Sequence, residues 1–142
     1  MGCDIHGVVE RKVEGHWIAV RTLHGFESQQ KNEYGNCWAS PLAKARNYER
    51  FAALAGVRGD GPAARGLPLD ASLTARHLFQ HEGDHTPSWL PLAEATAIFL
   101  RTEWRGDKLP EHERNYPARL YFSLDDTDIQ AYEHRLVFWF DS

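Results

Sequence analysis

The sequence predicts an α+β domain in which a mainly antiparallel sheet includes both terminal strands and carries two longer helices and one short helix. Three observations predict it. Residues 3–12 alternate in polarity, two segments in the middle have helical spacing of apolar residues, and residues 133–140 form an apolar run. Strands at both ends with helices between them are typical of α+β proteins. At 142 residues, the chain fits one domain over residues 1–142.

The first strand is predicted to form a hairpin with the next one. Glu14-Gly15 is a turn signal, and the β-branched and aromatic run at 16–20 follows it directly. Residues 24–40 are rich in Gly, Asn and Gln, which predicts a loop. Tyr34 and Trp38 lie in this loop as aromatic anchors, and we expect them to be the best candidates for stacking on a ligand.

Helix signals follow the loop. Ser40-Pro41 supplies an N-cap and a proline at the first helical position, so a helix is predicted over 41–55 with a break near Asn47. Residues 57–70 are predicted to be a glycine-containing loop. A short helix capped by residues 70–72 is predicted over 73–80, a polar, His-rich loop over 81–88, and the second long helix over 90–104.

The C-terminal part is predicted to return to the sheet. Residues 105–117 are charged and typical of turns, whereas 118–124 and 133–140 are apolar enough to be strands. The last of these is too apolar for an exposed edge, so we expect it inside the sheet. Its strongly apolar character in a chain of this size also allows a homo-oligomer.

Composition excludes several classes of partner. The net charge of −4 and the lack of a long Lys/Arg run argue against polymeric nucleic acid. No stretch of 18 apolar residues and no secretion leader is visible, so we expect a cytoplasmic protein without a membrane partner. Cys3 and Cys37 lack Cys-x-x-Cys spacing, which predicts free thiols rather than a zinc knuckle or a disulfide.

Five segments together resemble a known family. They are MGCDIH at 1–6, RNYERFAALAGVR at 46–58, RGLPLD at 65–70, HTPSWL at 85–90 and RLVFWFD at 135–141. In this order they resemble the small phage and prophage proteins that begin MGCDIH. The resemblance implies a phage or prophage origin and a small protein made in the host cytosol during infection. It implies no particular activity.

Asp4 and His6 are the first candidate site residues, because positions two apart on a strand share a face. If the first strand and two of the loops meet at one end of the sheet, a phosphate-handling set results, since arginine forks match phosphate oxygens and histidine exchanges protons near neutral pH. The members of this set are Asp4, His6, Arg58, Arg65, His85 and Ser88. Arg58 as a helix-end partner and Asp70 and Ser88 as helix caps are the structural alternatives.

Two functional classes follow from this set. In the first, the protein hydrolyses a small phosphorylated or nucleotide-derived ligand, such as a host immune-signalling nucleotide. His6 and His85 then act as base and acid, Asp4 orients His6, and Arg58 and Arg65 stabilise phosphate charge. In the second, the same pocket sequesters the nucleotide without chemistry. An inhibitor of a host protein that binds through an aromatic patch is a third possibility.

A metal site competes with these readings. His77, His81 and His85 are spaced by four residues, which permits a shared face on a helix. His85 lies beyond Gly83, however, and no His-Glu-x-x-His pattern is present. We therefore expect no metal and no other cofactor. A Cys3 nucleophile activated by His6 is set aside, because strand positions three apart point to opposite faces.

Overall fold

The computed structural model describes residues 2–23, 39–104 and 108–142. Its sheet has four antiparallel strands in the order β2-β1-β4-β3. The strands are β1 (Asp4–Val13), β2 (His16–Thr22), β3 (His85–Pro91) and β4 (His134–Asp141). The predicted α+β fold is confirmed, with the first and last strands paired at the centre of the sheet. The central position of β4 accounts for its apolar sequence within one chain.

The helices found in the described ranges are α1 (Pro41–Lys44), α2 (Tyr48–Ala55), α3 (Leu73–Glu82), α4 (Leu92–Arg101), α5 (Glu111–Arg114), α6 (Pro117–Phe122) and α7 (Asp126–Ala131). The longest three are α2, α3 and α4. The predicted break near Asn47 is confirmed, because the Asn47 side chain accepts a hydrogen bond from the Arg50 amide at 3.0 Å and so begins α2. None of these helices is long and apolar enough to cross a membrane.

Three local predictions are wrong, one of them for residues 105–117, which were expected to be turns but contain the short helix α5. Residues 85–88, expected in a loop, belong to β3, so the second long helix begins at Leu92 and ends at Arg101. Pro87 and Pro91 fit in β3 because it is an edge strand, where a missing amide donor is tolerated. The predicted strand 118–124 is mostly the helix α6, because a short apolar run does not distinguish a strand from a buried helix.

The two faces of the sheet carry separate apolar clusters. Ile5, Phe138 and Phe140 lie on the face covered by α2, α4 and α6, here called the helix-rich face. Val8 and Trp139 lie on the opposite face, here called the α3 face, which α3 covers. Because successive strand residues alternate between faces, this division assigns a face to every polar side chain at the strand ends.

A buried arginine organises the helix-rich face. Arg50 of α2 is 1% exposed and donates hydrogen bonds to the carbonyls of Phe99 and Leu42 at 2.7 and 3.1 Å. Its Nη2 also lies 3.6 Å from the Glu103 carboxylate, which accepts a hydrogen bond from the Tyr121 hydroxyl. Arg50 therefore joins α2 to the end of α4 and to α6, and has a structural role.

Candidate functional site

The candidate site lies at the end of the sheet where β1 begins and β4 ends. Asp4 is paired with Asp141, and His6 is paired with Trp139. His85 begins β3 opposite Phe140. We call the polar residues gathered there the sheet-end cluster; it comprises Cys3, Asp4, His6, Arg46, Arg58, His85, Asp141 and Ser142.

His6 is held on the α3 face by Asp141. Its Nε2 donates to the Asp141 carboxylate at 2.5 Å, and the two side chains are 13% and 38% exposed. We assign the hydrogen to Nε2 because an ionised carboxylate only accepts. His6 is oriented by Asp141, 135 residues away along the chain, and not by the predicted Asp4.

Asp4 is instead paired with Arg46. Arg46 lies between α1 and α2, and its guanidinium donates from Nε and Nη2 to the two carboxylate oxygens of Asp4 at 2.6 and 3.2 Å. These hydrogen bonds hold the pKa of Asp4 below its usual value. Arg46 is not among the predicted site residues, because nothing local indicates that a residue 42 positions away reaches Asp4.

His85 lies on the helix-rich face and is linked to two hydroxyl groups. Its Nδ1 is 2.8 Å from Thr86 Oγ1, and its Nε2 is 2.9 Å from Ser142 Oγ. The ring stacks on Phe140 at 6.1 Å between centroids. The nearby Cys3 thiol is buried, and this burial raises its pKa.

The two histidines occupy opposite faces of the sheet. Their partners Trp139 and Phe140 are consecutive on β4, and consecutive strand residues point in opposite directions. The His6 contact with Asp141 and the His85 stacking on Phe140 agree with this assignment. A substrate using both imidazoles would have to reach around the end of the sheet.

The predicted ligand-binding residues separate into two places. Arg58 lies over the Tyr48 ring at 5.0 Å, and the Tyr48 hydroxyl accepts a hydrogen bond from the Cys3 amide at 3.3 Å, so Arg58 belongs to the sheet end. Ser88 lies further along β3, and the amide of Arg65, in the loop before α3, donates to Ser88 Oγ at 2.9 Å. Tyr34 and Trp38 lie outside the described residues.

Asp70 and Ser88 do not have the capping roles considered for them. Asp70 forms an ion pair with Arg135 at 3.0 Å, and Ser72 is the N-cap of α3. Ser88 is a buried residue of β3, paired with Phe138. Both side chains therefore fasten loop segments to the sheet.

The spaced histidines do not form a metal site. His77 and His81 pack against each other on α3, with ring centroids 4.3 Å apart, while His85 is engaged on β3. Within the described ranges, no group of three or more His, Cys, Asp or Glu side chains is arranged to hold a metal ion.

Comparison of the chain with models of protein families, with curated proteins and with solved structures found no match. The resemblance to the phage proteins that begin MGCDIH therefore stays a prediction. The structure shows an α+β protein with a four-stranded antiparallel sheet and a cluster of polar side chains at one end of that sheet.

Proposed function

We propose that the protein binds a small phosphorylated ligand of the nucleotide type at the sheet-end cluster. The observation that carries the proposal is the placement of Arg46, whose half-exposed guanidinium is fixed by two hydrogen bonds to Asp4 beside His6. A guanidinium held in one geometry loses little conformational freedom when it meets phosphate oxygens. Arg58 adds a second cation at the same end.

The geometry favours binding without hydrolysis. A general base must come within hydrogen-bond reach of the proton that it removes. The Nε2 of His6 is committed to Asp141, the side chain is 13% exposed, and His85 lies on the other face. In the phage setting that the resemblance implies, such a protein would sequester a host signalling nucleotide in the host cytosol.

Hydrolysis stays a second candidate because of one contact. The His85 Nε2 lies 2.9 Å from the Ser142 hydroxyl in an exposed position, where this imidazole can exchange a proton with a ligand. In the hydrolysis hypothesis, His85 alone performs the acid–base chemistry, and His6 is a positioning residue.

The test is to incubate the purified protein with a panel of cyclic and linear signalling nucleotides and to analyse the mixture by chromatography before and after heat denaturation. Sequestration predicts that one intact nucleotide is removed from solution and released on heating. A new product that is lost in His85→Ala would establish hydrolysis instead. If every nucleotide stays free and intact, the proposal is wrong, and the inhibitor of a host protein becomes the leading hypothesis.

The variants locate the site. Arg46→Gln removes a charge-assisted contact, and we expect binding to weaken about tenfold or more. The matched control is Arg101→Gln, an exposed arginine in the last turn of α4, which should leave the affinity unchanged. Equal affinities in the two variants would exclude the sheet-end cluster as the binding site.

A further inference from the structure

A separate cavity lies at the opposite end of the sheet, on the helix-rich face. It is bounded by the start of α4, by α6 and α7, and by the first residue of β4, and its volume is about 350 Å³. This is within the range of small-molecule sites. We call it the tyrosine cavity; its lining includes Thr96, Asn115, Tyr116, Ile129, Tyr132 and His134.

Both tyrosine rings of the cavity are held in place by arginines. The Arg119 guanidinium lies 4.9 Å from the Tyr116 ring and is paired with Asp126 of α7 at 3.2 Å. In the same way, Arg11 lies 5.0 Å from the Tyr132 ring.

Arg11 is itself paired with Asp128 of α7 at 3.4 Å. Two Asp–Arg–Tyr sets therefore border one cavity. Tyr116 and Tyr132 are 44% and 42% exposed, so part of each residue remains open to solvent.

Two polar groups of the wall, His134 and Thr96, are uncharged and hydrogen-bonded within the protein. His134 is 7% exposed, its Nδ1 donates to the Tyr132 carbonyl at 3.1 Å, and its Nε2 accepts from Arg11 Nε at 3.0 Å. Burial lowers the pKa of His134, which keeps the ring uncharged at neutral pH. The Thr96 hydroxyl donates to the Ala93 carbonyl at 3.0 Å. Among the described residues that line the cavity, Asp126 is the only Asp, Glu, Lys or Arg, and it is paired with Arg119.

Asn115, the C-cap of α5, supplies the hydrogen-bonding group at the rim. Its side chain is exposed, lines the cavity and makes no hydrogen bond within the part of the chain that the structure describes. A primary amide presents donors and an acceptor side by side, which matches the edge of a nitrogen heterocycle.

We propose that the tyrosine cavity binds a neutral, planar, nitrogen-containing aromatic ring of about purine size. The ring stacks on Tyr116 or Tyr132, and its polar edge meets the Asn115 amide. This inference does not depend on the proposed function, because the cavity lies at the other end of the sheet and does not use phosphate.

The probe for this site is adenosine, which has the heterocycle but no phosphate. We expect adenosine binding, measured by titration calorimetry, to weaken about tenfold in Tyr132→Leu, because stacking on one aromatic side chain contributes about that much. Tyr132→Phe keeps the ring and should bind like the unchanged protein. Ala93→Trp should abolish binding, since Ala93 is an exposed lining residue and the new ring fills the mouth.

Arg46→Gln separates this proposal from the previous one, because it alters the sheet-end cluster only. Adenosine binding that survives in Arg46→Gln and is lost in Ala93→Trp supports the tyrosine cavity, whatever the result with nucleotides. The proposal is overturned if adenosine does not bind at millimolar concentration or binds equally to Ala93→Trp. It is also overturned if N-acetyltryptophanamide binds more tightly than adenosine, since the cavity would then accept a peptide side chain.

Discussion

Arg135 of β4 donates from Nε to the carboxylate of Glu10 of β1 at 2.6 Å, between two residues directly paired in the centre of the sheet. Glu10 is fully buried and Arg135 is 5% exposed. The second oxygen of Glu10 accepts the Ser72 amide at 2.7 Å, and Arg135 also pairs with Asp70 at 3.0 Å. The pair thereby fastens the start of α3 to the α3 face of the sheet.

Replacing Glu10 by alanine should strongly destabilise the fold. The change leaves the Arg135 charge buried without its closest partner and removes the acceptor of the Ser72 amide. Breaking a buried pair in this way costs about 3–5 kcal/mol of unfolding free energy. Urea unfolding of Glu10→Ala measures the loss.

The control for Glu10→Ala is an exposed ion pair of similar geometry. Asp126→Ala removes the partner of Arg119, and both side chains are largely exposed at 41% and 57%. We expect a loss below about 1 kcal/mol. Similar losses in the two variants would show that burial does not determine how much Glu10 contributes to the unfolding free energy.

Gly7 in β1 is predicted to tolerate no side chain. A Cβ at this position would lie 2.3 Å from the Val137 carbonyl oxygen and 3.1 Å from the Phe138 Cβ. The two central strands would have to separate, so Gly7→Ala should lose about 1–3 kcal/mol of unfolding free energy. Lys12→Ala, at an exposed position of the same strand, should lose less than about 1 kcal/mol. A Gly7→Ala protein as stable as Lys12→Ala would contradict the close approach.

His134 should make the fold less stable in mild acid. Burial and the nearby Arg11 charge lower its pKa below the ordinary value of 6.5, with Asp128 opposing them. When the pH falls through 6.5, the unfolded chain binds a proton that folded His134 does not, so the unfolding free energy decreases until the pH reaches the folded pKa. The measurement is urea unfolding at about pH 7.5 and about pH 5, for the unchanged protein and for His134→Gln. The acid loss should be smaller in His134→Gln, and an equal loss in both would assign it to other groups.

Tyr121 should ionise at a higher pH than the ordinary tyrosine value of 10. It is fully buried, and desolvation together with the Glu103 carboxylate raises its pKa to about 12. Because the unfolded chain loses this proton near pH 10 and the folded chain keeps it, stability should fall as the pH rises from 10 towards 12. A spectrophotometric titration of the phenolates should show one late ionisation that disappears in Tyr121→Phe. Identical titration curves after normalising for the lost tyrosine would disprove the raised pKa.

Local sequence signals predicted the elements that local chemistry specifies. The Glu14-Gly15 turn sets the first hairpin, with φ of 51° and 82° at its two residues, and side-chain caps at Asn47 and Ser72 begin two of the helices. The predictions were wrong where the secondary structure depends on contacts with distant parts of the chain. Residues 85–88 are a strand because the edge of the sheet accepts proline, and 118–124 are mostly helix because α4 and the sheet offer an apolar surface to cover.

In the candidate site, too, local features could be predicted and long-range contacts could not. The shared face of Asp4 and His6 follows from strand periodicity and could be predicted, whereas their partners Asp141 and Arg46 come from residues 135 and 42 positions away. The tyrosine cavity was missed altogether, because Tyr116, Tyr132 and His134 come from segments that only packing brings together.

By itself, the sequence determined the composition class, the hairpin, the starts of α1, α2 and α3, and the buried last strand, because backbone preference and hydrophobic periodicity act over a few residues. The tertiary structure alone decided that His6 pairs with Asp141, that His85 lies on the opposite face, and that Glu10 meets Arg135. These relationships depend on strand register, since a shift of one residue would move every side chain of a strand to the other face. Register is set by contacts between distant parts of the chain.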